Sequence, residues 1–279
     1  MTSTLLLTAL TMLAFAGNSV LCRLALSHTA IDPAGFTLVR IASGAAMLWV
    51  LANIFGKRKG IGGSWKGAAA LTLYAIAFSL AYVTLPAGTG ALLLFGAVQV
   101  TMIATGLKQG ERLAALQWVG LAVALAGLVT LVAPGVSAPP PLGAALMALS
   151  GVFWGVYSLL GRGSRDPVAT TAGNFLRAAP MALIPAVMLA GQLNPDPTGI
   201  FYAVLSGTLT SGCGYILWYR VLPKLTAAHG ASVQLSVPVI AALAGAALMG
   251  ETVTLRLCIA SAAVLGGIAL VITQRRRQT

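Results

Sequence analysis

The sequence predicts an all-α integral membrane protein: ten transmembrane helices, arranged as two inverted five-helix repeats around a central cavity. Three observations carry this expectation. Of 279 residues, 58% are hydrophobic and only 8% charged, against roughly 25% charged in a soluble domain. The charges are clustered, so that Lys66 and Lys108 enclose 41 uncharged residues and Arg112 and Arg162 enclose 49, each room for two crossings of about 20 residues. Motifs of the first half also recur, in the same order, in the second. This composition excludes a soluble enzyme. A formal net charge of +12 would suit a nucleic-acid partner, but the basic residues lie between apolar spans, where they set membrane orientation. The expected partner is the lipid bilayer, and no nucleic acid.

Charge clusters and Pro/Gly punctuation place the elements in order. Helices are expected at 4–26, 34–55, 65–85, 88–107 and 113–132, then at 142–162, 168–190, 198–221, 225–248 and 254–273. In the first, Ala14-Phe15-Ala16 resembles a signal-peptidase site. No Lys or Arg precedes the apolar run, however, and the run continues to Arg23, so it is read as a retained first span. The stretch 133–141, with Pro134, Pro139, Pro140 and Pro141, cannot continue a helix. It divides the chain into a first repeat (1–132), a connector (133–141) and a second repeat (142–279).

The repeats share landmarks. Leu85-Pro86 precedes Gly110-Glu111 as Leu222-Pro223 precedes Gly250-Glu251, and Gly127 and Gly267 each follow their glutamate by 16 residues. Gly35…Arg40 echoes Gly173…Arg177, and Phe15…Arg23 echoes Phe153…Arg162. The shared order argues for a duplicated five-helix unit. With the N-terminus inside, the inner segments hold thirteen basic residues: Lys57, Arg58, Lys59, Lys66, Lys108, Arg112, Arg162, Arg165, Arg220, Lys224, Arg275, Arg276 and Arg277. The outer loops hold one, Arg256. That asymmetry makes both termini cytoplasmic. Because five is odd, the halves insert upside down relative to each other, an arrangement found in alternating-access carriers.

No catalytic constellation is present: no Ser-His-Asp set, no paired carboxylates, no phosphate-cradling loop. Cys22, Cys213 and Cys258 lie in apolar spans without a Cys-x-x-Cys, and His28 and His229 are 201 positions apart. No enzyme activity, metal or other cofactor is expected. The acids Asp32, Glu111, Asp166, Asp196 and Glu251 fall in loops or at helix ends. Glu111 and Glu251 are expected near the N-terminus of the following helix, where negative charge is favoured. That leaves His229 as the titratable candidate near neutral pH.

Polar and aromatic residues gather on the first, third, fourth, sixth, eighth and ninth helices. Such side chains are costly in lipid, so these faces are expected to line the cavity, with interhelical Ser and Thr hydrogen bonds as the competing explanation. Arg23 and Arg40, near helix ends, are expected to snorkel to the headgroups. Arg177 lies deeper and is open to either a substrate carboxylate or a structural role. Gly207, Gly212 and Gly214 should make the eighth helix deformable, and Pro238 should kink the ninth.

Two segments resemble a known family. Gly214-Tyr-Ile-Leu-Trp-Tyr-Arg-Val-Leu-Pro-Lys-Leu225, and the stretch from Ala231-Ser-Val-Gln-Leu-Ser-Val-Pro238 to Gly250-Glu251, are similar to the drug/metabolite transporter superfamily in its EamA branch. Lys108-Gln-Gly-Glu111 matches the same signature in the first half, whereas Val98 stands at the position equivalent to Pro238. Leu94-Phe-Gly-Ala-Val-Gln-Val-Thr-Met102 resembles most the bacterial aromatic amino-acid exporters. The resemblance implies ten helices in inverted repeats and export of phenylalanine, tyrosine, tryptophan and related metabolites across the bacterial inner membrane. The expected substrate-binding residues are Asn18, Tyr82, Gln99, Trp154, Tyr157, Tyr215, Trp218 and Gln234. Their rings can stack on an aromatic substrate, and the amides of Asn18 and Gln99 can hydrogen-bond an amino acid's ammonium and carboxylate. A broader drug or metabolite exporter is the alternative within the class. A membrane-embedded enzyme or a structural interaction protein would lie outside it.

Overall fold

Proline and aspartate set where many of the helices begin. The computed structural model describes residues 2–55, 62–110, 112–135, 137–161, 164, 166–189, 191, 193–221 and 233–275, and among them every regular element is a helix. Pro33, Pro141, Pro167 and Pro197 each open one: α2 (Pro33–Phe55), α6 (Pro141–Gly161), α7 (Pro167–Met188) and α8 (Pro197–Leu205). Proline suits the first helical position because the N–H it lacks would have no intrahelical partner there. Three of these prolines follow a capping aspartate. Asp32 accepts from the Gly35 amide at 2.8 Å, Asp166 from Ala169 at 3.0 Å and Asp196 from Gly199 at 2.7 Å, each cap contributing about 1 kcal/mol.

The remaining helices are α1 (Thr2–His28), α3 (Trp65–Tyr82), α4 (Ala87–Lys108), α5 (Ala115–Val132), α9 (Gly214–Val221), α10 (Ser236–Met249) and α11 (Leu255–Arg275). Between α8 and α9, Ser206–Cys213 winds as a π-helix, so 197–221 is one continuous span with a widened middle. Gly110 (φ 92°) and Gly250 (φ 64°) end α4 and α10 in the left-handed region, which explains the glycine of both Gly-Glu pairs.

Helix bounds fall within three residues of the expectation for α1 to α7, for the 197–221 span and for α11. The described part of the expected ninth helix starts at Val233, breaks at Leu235 and resumes as α10 at Ser236, so the interruption falls three residues ahead of Pro238, the residue expected to bend it. Lys57, Arg58, Lys59, Glu111, Arg162, Arg165, Lys224, His229, Arg276 and Arg277, all invoked above, lie outside the described residues.

Length and apolarity alone identify seven described spans, at 4–28, 33–54, 87–108, 115–132, 141–161, 197–218 and 255–272. The described part of α10 is apolar but only 14 residues long. α3 and α7 are more polar, and their polar residues are turned inward: Thr72, Tyr74 and Ser79 on α3, Thr171 and Asn174 on α7. The outer surface carries large apolar side chains instead, among them Leu5, Leu142, Met188, Leu243 and Leu255, as a lipid-facing surface requires. The molecule is a multi-span membrane protein.

Helix pairing runs across the two halves. α5 packs on α11, α2 on α7, α4 on α10 and α3 on α6, while α1 packs against the 197–221 span and α10. Lipid provides no hydrophobic drive between helices, so small residues that let backbones approach are what hold such pairs. In the α5–α11 pair a Cβ added to Gly120 would lie 2.6 Å from the Gly267 carbonyl oxygen, and one added to Gly127 would lie 2.8 Å from the Ala263 Cβ. Gln117 Nε2 donates to the Val271 carbonyl at 2.9 Å in the same seam. Gly267→Val should therefore overpack this seam, at a cost of about 1–3 kcal/mol, and lower both the yield of folded protein and its melting temperature in detergent. Gly266→Val, one residue away with nothing within 4 Å of its added Cβ, should leave both near wild type.

Candidate functional site

A buried hydrogen-bond network joins α1, α2, α3 and the π-helical segment at the junction of the two halves. Its hub is the Tyr74 hydroxyl, which accepts from Asn18 Nδ2 at 3.2 Å and from Arg40 Nη2 at 3.0 Å. Asn18 Oδ1 in turn accepts from Ser206 Oγ at 2.8 Å and Thr210 Oγ1 at 3.3 Å. The π-winding matters here, because it is this segment that carries both hydroxyls facing Asn18. Gly207, between them, lies against the Arg40 carbonyl and Ser43 Oγ with no room for a Cβ, which brings the segment hard against α2.

Rings pack around the hub. Trp154 of α6 lies 4.9 Å from Tyr74, 5.1 Å from Tyr215 and 5.5 Å from Tyr157, centroid to centroid. Phe15 continues the wall to Tyr215 at 6.2 Å and to Trp218 at 5.9 Å, and Phe175 meets Tyr215 at 5.9 Å. These are offset and edge-on contacts, the arrangements that aromatic quadrupoles favour. Five of the expected substrate residues, Asn18, Trp154, Tyr157, Tyr215 and Trp218, thus belong to one connected cluster.

Of the other three, Tyr82 reaches the cluster through Phe78, and Gln99 lies on another seam. Tyr82 is at the end of a ladder on α3, Tyr74–Phe78–Tyr82, with ring separations of 5.4 and 4.7 Å. It is fully buried, its ring lies against Gly90 and its hydroxyl donates to the Ala87 carbonyl at 3.2 Å. Gln99 is buried beside an apolar gap between α4, α5 and α11, lined by Gly96, Leu121, Leu128, Val264 and Ile268. Gln234 is half-buried, next to the break at Leu235. The expected substrate-binding set omitted Tyr74, Phe15, Phe175 and Arg40, all buried in or against the cluster.

The three arginines within spans divide differently from the expectation. Arg177 donates to the carbonyls of Gly62 at 2.6 Å and Gly173 at 2.9 Å, with its guanidinium 5.9 Å from the Trp65 ring. It pins the start of α3 to α7, which is a structural role. Arg40 does not snorkel: it is 2% exposed, over the rings of Tyr74 and Phe78 at 5.3 and 4.9 Å.

Arg23 also stays inside, where it closes one end of the bundle. Its Nε pairs with Glu251 Oε1 at 3.0 Å, and its Nη1 donates at 2.9 Å to the carbonyls of Tyr82 and Val83. The second Glu251 oxygen accepts from the Ala87 amide at 2.8 Å, so Glu251 caps α4 in the other half of the chain. Its own neighbour helix, α11, is capped by Thr254, whose hydroxyl accepts from the Leu257 amide at 3.1 Å. One clasp therefore ties α1, α3, α4 and the α10–α11 turn.

Residues 141–273 match the EamA-like transporter family. An uncharacterized protein of Pseudomonas aeruginosa is 59% identical, across 98% of this chain and 95% of its own length. An uncharacterized transporter of Archaeoglobus fulgidus is 31% identical across 78% of this chain and 79% of its own. The chain belongs to the EamA-like transporter family. A probable terminal-alkyne amino-acid exporter of Streptantibioticus cattleyicolor is 25% identical across 85% of this chain and 83% of its own length. One crystal structure matches at a TM-score of 0.71 and 21% identity, covering 99% of both chains, so its fold is shared.

In this EamA-like transporter the clasp is a brace between the helices it ties. Its two side chains are only 18% and 13% exposed, so removing either partner leaves a largely buried charge. Arg23→Gln and Glu251→Gln should each lower the melting temperature and yield more than they lower transport per folded molecule. Glutamine at 251 can still accept from Ala87. A double-mutant cycle on the melting transition should return a coupling of about 0.5–3 kcal/mol. A fully folded Glu251→Gln protein without transport would instead make the glutamate a gating group.

Proposed function

We propose that the chain is a secondary transporter that exports aromatic amino acids and related small metabolites across the bacterial inner membrane, by alternating access of two inverted five-helix repeats, 1–132 and 142–279, joined by 133–141. The observation that carries this reading is the cluster of Trp154, Tyr157 and Tyr215 against Asn18 and Tyr74. It offers ring faces and amide hydrogen bonds together, at the seam between the halves. The name of the Streptantibioticus relative, an amino-acid exporter, supports the substrate class.

The pairing of helices supports the inverted repeat. Exchanging the halves turns the α1 contact with the 197–221 span into that of α6 with α3, and the α4–α6 contact into that of α10 with α1. The pairs α2–α7, α4–α10 and α5–α11 map onto themselves. That is the behaviour of a two-fold axis, around which two bundles can rock over a fixed site. With both termini cytoplasmic, the Arg23–Glu251 clasp lies at the outer face and holds the outer path closed.

Purified protein in liposomes should move labelled phenylalanine or tryptophan down its gradient. Trp154→Ala should lower that flux by tenfold or more with the protein still folded. Gln99→Ala, beside α5 and α11 and away from the rings, should have the smaller effect. If Trp154→Ala transports normally, the site assignment is wrong.

Energy coupling follows from where the acids are. The described carboxylates are all engaged: Asp32, Asp166 and Asp196 as helix caps, Glu251 in the clasp. A proton-coupled exporter commonly needs an intramembrane carboxylate whose pKa burial raises. Flux should accordingly persist without a pH gradient or membrane potential and should survive His229→Gln. Transport seen only with an imposed proton gradient, and stopped by a protonophore, would show coupling.

A further inference from the structure

We propose that Arg40 is the anion-binding residue of this site, and that its missing counter-ion is the carboxylate of the transported molecule. The proposal rests on the transport reading above and deepens it, narrowing the cargo to monocarboxylates. Arg40 lies on α2 and is 2% exposed. Its Nη2 is used by Tyr74, whereas its Nη1 is buried and has no hydrogen-bond partner among the described residues. The titratable side chains around it are Tyr74, Tyr215 and Cys22, none of which is anionic at neutral pH in its ordinary state. No described carboxylate is free to serve, since three cap helices and the fourth holds Arg23.

Arginine cannot escape burial by losing its proton, as lysine can. A buried cation without an anion carries a large desolvation penalty, which the faces of Tyr74 and Phe78 offset only in part. The other two arginines within spans show the contrast, each occupied by backbone carbonyls or a carboxylate. Arg40 is the one with no such partner among the described residues.

The neighbouring donor fits the same ligand. The Tyr74 hydroxyl accepts from both Asn18 and Arg40, so its own proton remains available to donate. Ser211, on the π-helical segment that bonds Asn18, has a buried hydroxyl with no partner. A guanidinium fork beside a phenolic O–H is a donor set for a carboxylate, which arginine takes in bidentate geometry. One cation with no second beside it suits a single negative charge. The Tyr74 ring is 4.9 Å from Trp154, so a carboxylate held at Arg40 presents the rest of its molecule to the aromatic wall.

The test uses purified full-length protein and thermal stabilisation by matched acids and primary amides: phenylalanine and phenylalaninamide, phenylacetate and phenylacetamide, isovalerate and isovaleramide. Chloride is titrated separately. At least one acid should bind at least tenfold more tightly than its amide, and Arg40→Gln should abolish that preference, with Arg40→Lys retaining part of it. Equal binding of acid and amide, no binding of any acid, or an unchanged preference in Arg40→Gln would overturn the proposal. So would stabilisation by chloride equal to that by the acids, which would make this an inorganic-anion site. If isovalerate binds and neither aromatic acid does, Arg40 stands and the aromatic substrate reading fails. Should Arg40→Gln not fold, Tyr74→Phe takes its place: it keeps the ring, removes the donor and should reduce the acid preference, and an unchanged preference would again overturn the assignment.

Discussion

The Tyr74 hydroxyl, accepting from α1 and α2 at once, is the interaction on which the centre of this molecule depends. In a bilayer no water reaches polar groups between helices, so each must find a protein partner or raise the cost of folding. Asn18, Ser206, Thr210 and one nitrogen of Arg40 meet that demand together through one phenol and one amide. The consequence is a small polar core that fixes the relative depth of four elements. The aromatic wall packs on it, with the Tyr74 ring 4.9 Å from that of Trp154.

Much of the architecture was legible because the punctuation has direct physical meaning. Pro33, Pro141, Pro167 and Pro197 can begin a helix and cannot sit comfortably within one, and each does begin one. Gly110 and Gly250 end helices at positive φ. The candidate site was legible in part, through residue chemistry. Trp154, Tyr157 and Tyr215 each join a large apolar ring to a polar tip, which within a span is met by other protein groups, and they meet at one place.

What escaped was helical phase. α4 is apolar over most of its surface, so nothing in its pattern says that Gln99 faces α5 and α11 rather than the centre. Arg40 was misleading for a different reason. It is eight residues into α2, near enough to an end for a long side chain to reach headgroups, and the residue it echoes in the second half of the chain is the structural Arg177. Only the packing of Tyr74 and Phe78 over its guanidinium shows that it turned inward. The sequence echo between Arg40 and Arg177 therefore concealed a difference between them: one is tied off by carbonyls and the other is left with a bare nitrogen.

The π-helical stretch Ser206–Cys213 gives the 197–221 span a mechanical property of its own. An α-helix turns by about 100° per residue, so a π-turn that tightens by one residue rotates everything beyond it by roughly that angle without unwinding the helix. In this span the part beyond is α9, with Tyr215 and Trp218. A rotation of that size would carry both rings off Phe15 and Trp154, while Pro197 and its Asp196 cap stay anchored at the other end. The glycines at 207, 212 and 214 leave few side chains to obstruct such a turn. The span is thus built as a swivel, able to dismantle the aromatic wall from one side.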